Sequence, residues 1–316
     1  MKVIITDPIS ESGISFLKEA DFSVVQLYNA SKEDIIRACE DADGWIIRSG
    51  TKIDKKMIKA AKKLKAIGRA GVGVDNIDID EATKRGIIVM NTPDVNTISA
   101  AEHSIAMMLA LSRNVSIGDS EVKQMKWNRH LLIGSELRAK TLGLVGMGKI
   151  GREVMSRCIS FGMNVLGYDP FVNKEMFKDG EIEIVDLDRL TEQSDFISIH
   201  VPLNSDTTNL FDYKRLKKMK QTARIINVSR GGIINEKDLS RALRDGVISG
   251  AAIDVFTKEP IEKSNPLIDS PNILLTPHLG ASTEEAKEGV SISICQQLKS
   301  YLKKPDTILK MLEKIN

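Results

Sequence analysis

Thr141-Leu142-Gly143-Leu144-Val145-Gly146-Met147-Gly148-Lys149-Ile150-Gly151 decides the fold. It reads as a short apolar strand that enters Gly146-x-Gly148-x-x-Gly151 and continues as a helix from Lys149 to about Phe161. Gly146 permits a tight turn off the strand, and Gly148 lets backbone N–H groups approach a pyrophosphate. Gly151 lets the helix pack closely on the sheet, with its positive N-terminal end toward the phosphates. Glycine-rich turns are common, so the pattern draws its meaning from the residues downstream. A second apolar strand, Asn164 to Tyr168, ends in Asp169, 18 residues beyond Gly151. An acid there accepts hydrogen bonds from a ribose 2′-OH and repels a 2′-phosphate, which favours NAD over NADP.

Outward from this loop, further strands are predicted at Phe196 to His200, Arg224 to Asn227, Gly250 to Asp254 and Ile273 to Leu275, most of them separated by helices, as a doubly wound sheet requires. Upstream, strand and helix signals alternate: strands at Val3 to Thr6, Val24 to Leu27, Gly44 to Arg48, Leu64 to Gly68 and Ile87 to Met90, helices at Ser10 to Ala20, Ile35 to Cys39, Lys55 to Lys63 and Ile79 to Arg85. Ser31-Lys32-Glu33-Asp34 has the form of a helix-starting box with Asp in place of Glu. This predicts a second parallel-sheet domain. A single long helix from Thr97 to about Gly118, nearly all apolar from Ile105 to Leu111, is expected to be buried between the domains and to carry the chain across. Gln124 to Ile133 reads as a loop, and a last helix from Thr283 to Lys303 returns the chain to the first domain. The expected architecture is α/β with two domains, each a parallel sheet flanked by helices: 98–283 inserted between 1–97 and 284–316.

Composition excludes several classes. The 316 residues carry 45 basic and 43 acidic groups, a net charge of +2 that makes no strong field for nucleic acid. With 42% hydrophobic and 28% charged residues the chain is globular, not disordered. No apolar run approaches a membrane span. Met1-Lys2-Val3-Ile4-Ile5-Thr6-Asp7 reaches an acid too early for a signal peptide, so a cytoplasmic protein is expected. Cys39, Cys158 and Cys295 lack metal or redox spacing, so no metal site is expected and the thiols are read as buried and inert.

In an open parallel sheet, ligands lie beyond the carboxyl ends of the strands. Three predicted strand ends carry reactive groups there: Val228-Ser229-Arg230-Gly231-Gly232, Val255-Phe256-Thr257-Lys258-Glu259-Pro260, and Thr276-Pro277-His278-Leu279-Gly280. Taken singly, Arg230 reads as a surface ion pair, Glu259 as a solvated loop acid, and His278 as a packed or capping imidazole. His103, within the long helix, reads as a core or capping histidine. Together on one rim, Arg230 offers a planar fork for a carboxylate, His278 exchanges a proton with an oxygen near neutral pH, and Glu259 orients the imidazole. With a nicotinamide beside them, the set fits interconversion of a 2-hydroxy acid and a 2-oxo acid.

Over essentially its whole length the chain resembles the D-isomer-specific 2-hydroxyacid dehydrogenases. The resemblance rests on Gly68-Arg69-Ala70-Gly71-Val72-Gly73-Val74-Asp75-Asn76, Met90-Asn91-Thr92-Pro93, Ser99-Ala100-Ala101-Glu102-His103, the glycine loop, Ser229-Arg230-Gly231-Gly232, Asp254 to Pro260, and Pro277 to Thr283. It implies a Rossmann NAD-binding domain inserted into a flavodoxin-like substrate and catalytic domain, with His278 as acid/base, Glu259 as its partner, and Arg230 completing the catalytic set. It implies NAD contacts from Gly146, Gly148, Lys149, Ile150, Gly151, Asp169, Pro202, Thr207, Val228, Ser229, Arg230, Asp254, His278 and Gly280. It also implies that Val72 and Gly73 present N–H groups to the substrate carboxylate, with Asn96 nearby.

Within the family, Arg48 and Arg69 stand where the branch acting on D-3-phosphoglycerate holds the substrate phosphate, and Arg129 stands where a partner subunit of a homodimer adds charge. The partner expected is therefore a phosphorylated 2-hydroxy acid, with neither nucleic acid nor membrane. A glyoxylate or hydroxypyruvate reductase on the same scaffold and a non-enzymatic NAD-sensing corepressor are the rival readings. Lys258 stands where relatives often carry an acid. The chain resembles the short form of its branch, so feedback by serine through a C-terminal domain is not expected.

Overall fold

Short apolar runs, each followed by a capped helix, build the first sheet in the computed structural model, which describes residues 1–172, 177 and 182–304. The elements are β1 (Lys2–Ile5), α1 (Glu11–Glu19), β2 (Ser23–Gln26), α2 (Lys32–Cys39), β3 (Gly44–Ile47), α3 (Lys55–Ala60), β4 (Ala66–Arg69), α4 (Ile79–Lys84) and β5 (Ile88–Asn91). Ser10, Ser31, Asp54 and Asp78 each accept the N–H three residues ahead, which fixes where the helices start. All strands are parallel, in the order β2-β1-β3-β4-β5. β3 is buried throughout because helices cover both faces of a parallel sheet. On one face lies α11 (Glu284–Lys303), capped by Thr283. Its Val290, Ile294, Leu298 and Leu302 share a core with Val3, Ile5, Ile46 and Ala66.

The second unit contains α5 (Thr97–Ser112), α6 (Val115–Lys123), a 3-10 turn at Arg129–Leu131, β6 (Thr141–Val145), α7 (Lys149–Ser160), β7 (Asn164–Tyr168), β8 (Glu183–Ile184), α8 (Leu187–Gln193), β9 (Phe196–Ile199), α9 (Tyr213–Leu216), β10 (Arg224–Asn227), α10 (Glu236–Arg244), β11 (Gly250–Ile253) and β12 (Ile273–Leu275). Its sheet is also parallel, ordered β12-β11-β10-β9-β6-β7-β8. From β6 the chain winds out to β8, then returns to β9 and winds the other way. The crevice between β6 and β9 is thus the point where winding reverses. The units divide the chain as Met1–Asn96 with the segment from Ala281, and Thr97–Gly280.

One sequence expectation is corrected. The single helix expected from Thr97 to Gly118 is two helices: α5 stops at Ser112, Asn114 takes the left-handed conformation (φ 53°), and α6 begins at Val115. Asn tolerates that conformation where most residues do not, and the carbonyl of Ser112 is satisfied by the Ser135 N–H (2.9 Å). The apolar middle of α5 belongs to the core of the second unit. Ile105, Met107 and Met108 pack there with Leu142, Val154, Phe196 and Ile226, so the helix is apolar because a sheet and α7 both press on it.

The three cysteines are buried and unpaired, and burial pushes their thiols up to about 11 for Cys39 and about 12 for Cys158 and Cys295. They are unreactive near neutral pH. No described helix is long and apolar enough to cross a membrane.

Candidate active site

The glycine loop leaves β6 at Gly146, whose φ of 99° and whose position against the His200 carbonyl leave no room for a side chain. A Cβ on Gly151 would overlap the Gly146 carbonyl oxygen, so the first turn of α7 lies directly on the loop. At Gly148, by contrast, a Cβ would enter open space. Gly148 is also the N-cap of α7 and offers no side-chain cap to its first turn. This is a cradle that fits a pyrophosphate.

Asp169 follows β7. Its Oδ2 accepts from Met147 N (2.9 Å) and its Oδ1 from Phe171 N (2.9 Å), which ties the acid to the glycine loop while each oxygen keeps a further acceptor position. The residues present therefore fit NAD. Beyond β9, Pro202 is exposed, and Thr207 braces its own turn by donating to the Pro202 carbonyl (2.6 Å) and accepting from Asn204 N (2.8 Å).

On the same sheet the reactive rim is assembled by polar residues at strand ends. Asn227, the last residue of β10, is buried. It accepts from the backbone N (3.0 Å) and hydroxyl (2.8 Å) of Ser229 and donates to the Arg230 carbonyl (2.9 Å). That closes the Val228–Arg230 turn and sets the base of the Arg230 side chain, whose Nη1 donates to the Ser229 carbonyl (2.6 Å). A Cβ on Gly231 would overlap the Phe256 carbonyl, so glycine is needed for the Arg230 turn to lie against the loop that carries Glu259. Glu236, in the first turn of α10, steadies that loop by accepting from Thr257 N (2.6 Å).

Glu259 Oε1 accepts from Phe256 N (3.0 Å) and Oε2 bonds His278 Nδ1 (2.7 Å). Burial would raise the Glu259 pKa, but the bonds from His278 and Phe256 outweigh it and hold the carboxyl below its ordinary 4.5. An ionised carboxylate only accepts, so Nδ1 carries the proton and Nε2 is the atom left to exchange one. Both side chains keep about a third of their surface exposed, 33% for His278 and 34% for Glu259.

His278 has φ 55°, a left-handed conformation that costs a non-glycine residue about 1–3 kcal/mol and persists only where surroundings over-determine it. Asp254 supplies that constraint. Its carbonyl accepts from His278 N (2.8 Å). Its Oδ1 accepts from Leu279 N (2.7 Å) and the Thr276 hydroxyl (2.6 Å), and its Oδ2 from Gly280 N (2.9 Å). His103 Nε2 lies 3.2 Å from Oδ1. Burial opposes ionisation of Asp254, yet the His103, Thr276 and backbone bonds together keep its pKa below the usual carboxylate range.

Asp254 was expected at the cofactor. In the structure its side chain is wholly buried, and its oxygens accept from the chain's own donors that hold the His278 loop. His103 gains a role as part of that support. Sequence reading missed Asn227 and Glu236. The available signal was a polar residue closing an apolar strand, as at Asn227 and Asp254.

In the first unit, Arg48 follows β3. Its backbone N donates to Asp7 Oδ2 (2.6 Å) and its carbonyl accepts from Asn76 Nδ2 (2.7 Å). Arg69 ends β4 and folds its guanidinium over Gly71, where a Cβ would overlap Nη1 and where φ is 147°. The next turn is held by Asn91, which donates to the Val72 carbonyl (2.6 Å). Val72 and Gly73 are half-buried there. Asn96 Oδ1 is buried with no partner among the described residues. Arg129 is exposed in the 3-10 turn of the second unit.

A doubly wound sheet with this glycine cradle and a Glu–His pair on its rim defines an NAD-binding domain of the dehydrogenase class. Residues 105–280 match the D-isomer specific 2-hydroxyacid dehydrogenase, NAD binding domain. D-3-phosphoglycerate dehydrogenase of Archaeoglobus fulgidus is 45% identical over 303 residues, covering 96% of this chain and 58% of that protein. The enzyme of the same name from Synechocystis is 46% identical over 301 residues, covering 95% of this chain and 54% of that one. This chain thus spans little more than half the length of these relatives. The TT0316 protein of Thermus thermophilus superposes with a TM-score of 0.89 at 32% identity, covering 96% of this chain and 97% of its own. The chain belongs to the D-isomer specific 2-hydroxyacid dehydrogenase family.

Proposed function

We propose that the protein oxidises D-3-phosphoglycerate to 3-phosphohydroxypyruvate with NAD, the first step of the phosphorylated route to L-serine. The observation that carries the reading is the 2.7 Å bond between His278 Nδ1 and an ionised Glu259, which orients Nε2 as a base. Bound NAD would supply the hydride acceptor. His278 Nε2 takes the proton of the C2 hydroxyl, and the Glu259 carboxylate stabilises the imidazolium that results. Arg230 pairs with the substrate carboxylate and polarises the C2 oxygen as it becomes a carbonyl. Val72 and Gly73 offer N–H groups to the same carboxylate.

Arg48 and Arg69 are assigned to the phosphate, whose nearly two negative charges call for guanidinium forks that lactate or glyoxylate would not need. The same reading places the enzyme in the cytoplasm, where NAD and phosphorylated acids occur together. It also takes the protein as a homodimer: the stretch from α6 through the 3-10 turn exposes Met125 (93%), Trp127 (78%), Leu131 (69%) and Ile133 (83%), an apolar surface that a second copy would cover. Arg129 lies within that stretch.

The test is a steady-state assay with NAD and D-3-phosphoglycerate, coupled to removal of product. NADH should form, and NADP should serve poorly because of Asp169. No NADH with brisk reduction of glyoxylate would move the protein to the reductases. NADH binding without turnover of either acid would make it a binding protein.

A further inference from the structure

The loops after β1, β2 and β3 of the first unit line a half-open cavity of ≈ 330 Å³ that none of the roles above uses. Its place is set by the strand order. After β1 the chain lays β2 on one side and then β3 on the other, and open α/β sheets bind ligands beyond the strand ends at such a reversal. The volume is at the small end of small-molecule sites, roughly 300–1,000 Å³.

Its lining combines three kinds of surface. Ile35 and Met57 give it an apolar wall. Lys32 and Lys52 line it with cations; Lys32 is paired with Asp54 (2.5 Å), whereas Lys52 is exposed and has no hydrogen bond or ion pair among the described residues. Asp7 and Thr51 are buried polar lining. Asp7 Oδ2 accepts from Arg48 N (2.6 Å) and Thr51 N (3.0 Å), and Oδ1 accepts from the Thr51 hydroxyl (2.9 Å). A carboxylate has about four acceptor positions, so one remains at Oδ1.

We propose that this cavity is a second ligand site, for a small organic anion that also carries a hydroxyl: the anionic group meets Lys52, the hydroxyl donates to Asp7, and the carbon body lies on Ile35 and Met57. Because Asp7 also holds the backbone of Arg48, an occupant that bonds Asp7 alters how Arg48 is presented. That second consequence rests on the assignment of Arg48 to the substrate phosphate.

The test uses the full chain with methyl-labelled methionine and isoleucine, titrated with glycerol 2-phosphate and separately with inorganic phosphate. Glycerol 2-phosphate should shift the Met57 and Ile35 methyl signals saturably. It should bind about tenfold more weakly to Lys52→Gln, and should lose the shifts in Ala30→Leu, which fills the cavity, with the melting temperature of both variants checked. Inorganic phosphate, lacking the hydroxyl, should bind at least about tenfold more weakly. No saturable shift at Met57 and Ile35, or equal shifts in Ala30→Leu, would overturn the site, and equal affinity for the two probes would overturn the role of Asp7.

In the kinetic arm, glycerol 2-phosphate should raise the KM for D-3-phosphoglycerate in wild type and not in Ala30→Leu. Inhibition that persists in Ala30→Leu would overturn the link to Arg48. A protein that does not turn over D-3-phosphoglycerate fails the substrate reading alone, since the methyl shifts are read without turnover.

Discussion

Asp254 and Asp7 are the same device used to different ends. Each comes just after a strand one in from the edge of its sheet, and each uses a buried carboxylate to hold backbone N–H groups of a loop beyond a neighbouring strand: Leu279 and Gly280 for Asp254, Arg48 and Thr51 for Asp7. At Asp254 the Thr276 hydroxyl and His103 complete the set of donors, and no surface remains. At Asp7 only the Thr51 hydroxyl is added, and the acid borders a cavity. A staple sealed from solvent produces a rigid loop that can keep His278 in a left-handed conformation. One that borders a cavity produces a place where a ligand can act.

The largest effect expected is on the residue the closed staple presents. His278→Ala should lower turnover by about 10²–10⁴-fold while leaving NADH binding, followed by fluorescence titration, in place. Turnover that survives would remove the acid/base role. Next comes the staple itself. Asp254→Asn places an amide donor among groups that donate, so the loop should loosen and kcat should fall by about 10²-fold, the usual cost of misplacing a catalytic group by about 1 Å. Asp7→Asn should act on the KM for D-3-phosphoglycerate with a smaller change in kcat. The reverse order in kcat would break the comparison.

Much of this was legible in the chain. The glycine loop, Asp169 and the strand ends at Arg230, Glu259 and His278 can be read from glycine spacing and from apolar runs short enough to be parallel strands. The Ser31 box marked the start of a helix, as the structure has it. What stayed hidden depends on contacts between segments far apart in sequence. Nothing local says that Gly231 must lie on Phe256, that Glu236 reaches Thr257, or that His103 stands behind Asp254. The break after α5 did leave a trace, since Asn114 is a residue suited to a left-handed helix end. It was masked by the long apolar run before it.

The smallest effect expected is on pH dependence. The Glu259 pKa lies below its ordinary 4.5 in the folded protein, so its pairing with His278 adds stability above that value and loses it as pH falls through the depressed folded pKa. The melting-temperature advantage of wild type over Glu259→Gln should therefore be greatest near neutrality and vanish in acid. An advantage that grew toward acid pH would contradict the pairing.

The function proposed above puts chemistry on the rim of the second unit and substrate choice on the arginines of the first. It is tested most directly by the ratio of kcat/KM for D-3-phosphoglycerate over D-glycerate, in wild type and in Arg69→Ala. A charge-assisted hydrogen bond to phosphate contributes about 1.5–3 kcal/mol, so the ratio should fall by about 10–100-fold, with D-glycerate oxidation nearly unchanged. An equal loss with both substrates would contradict the division and return Arg69 to a structural role.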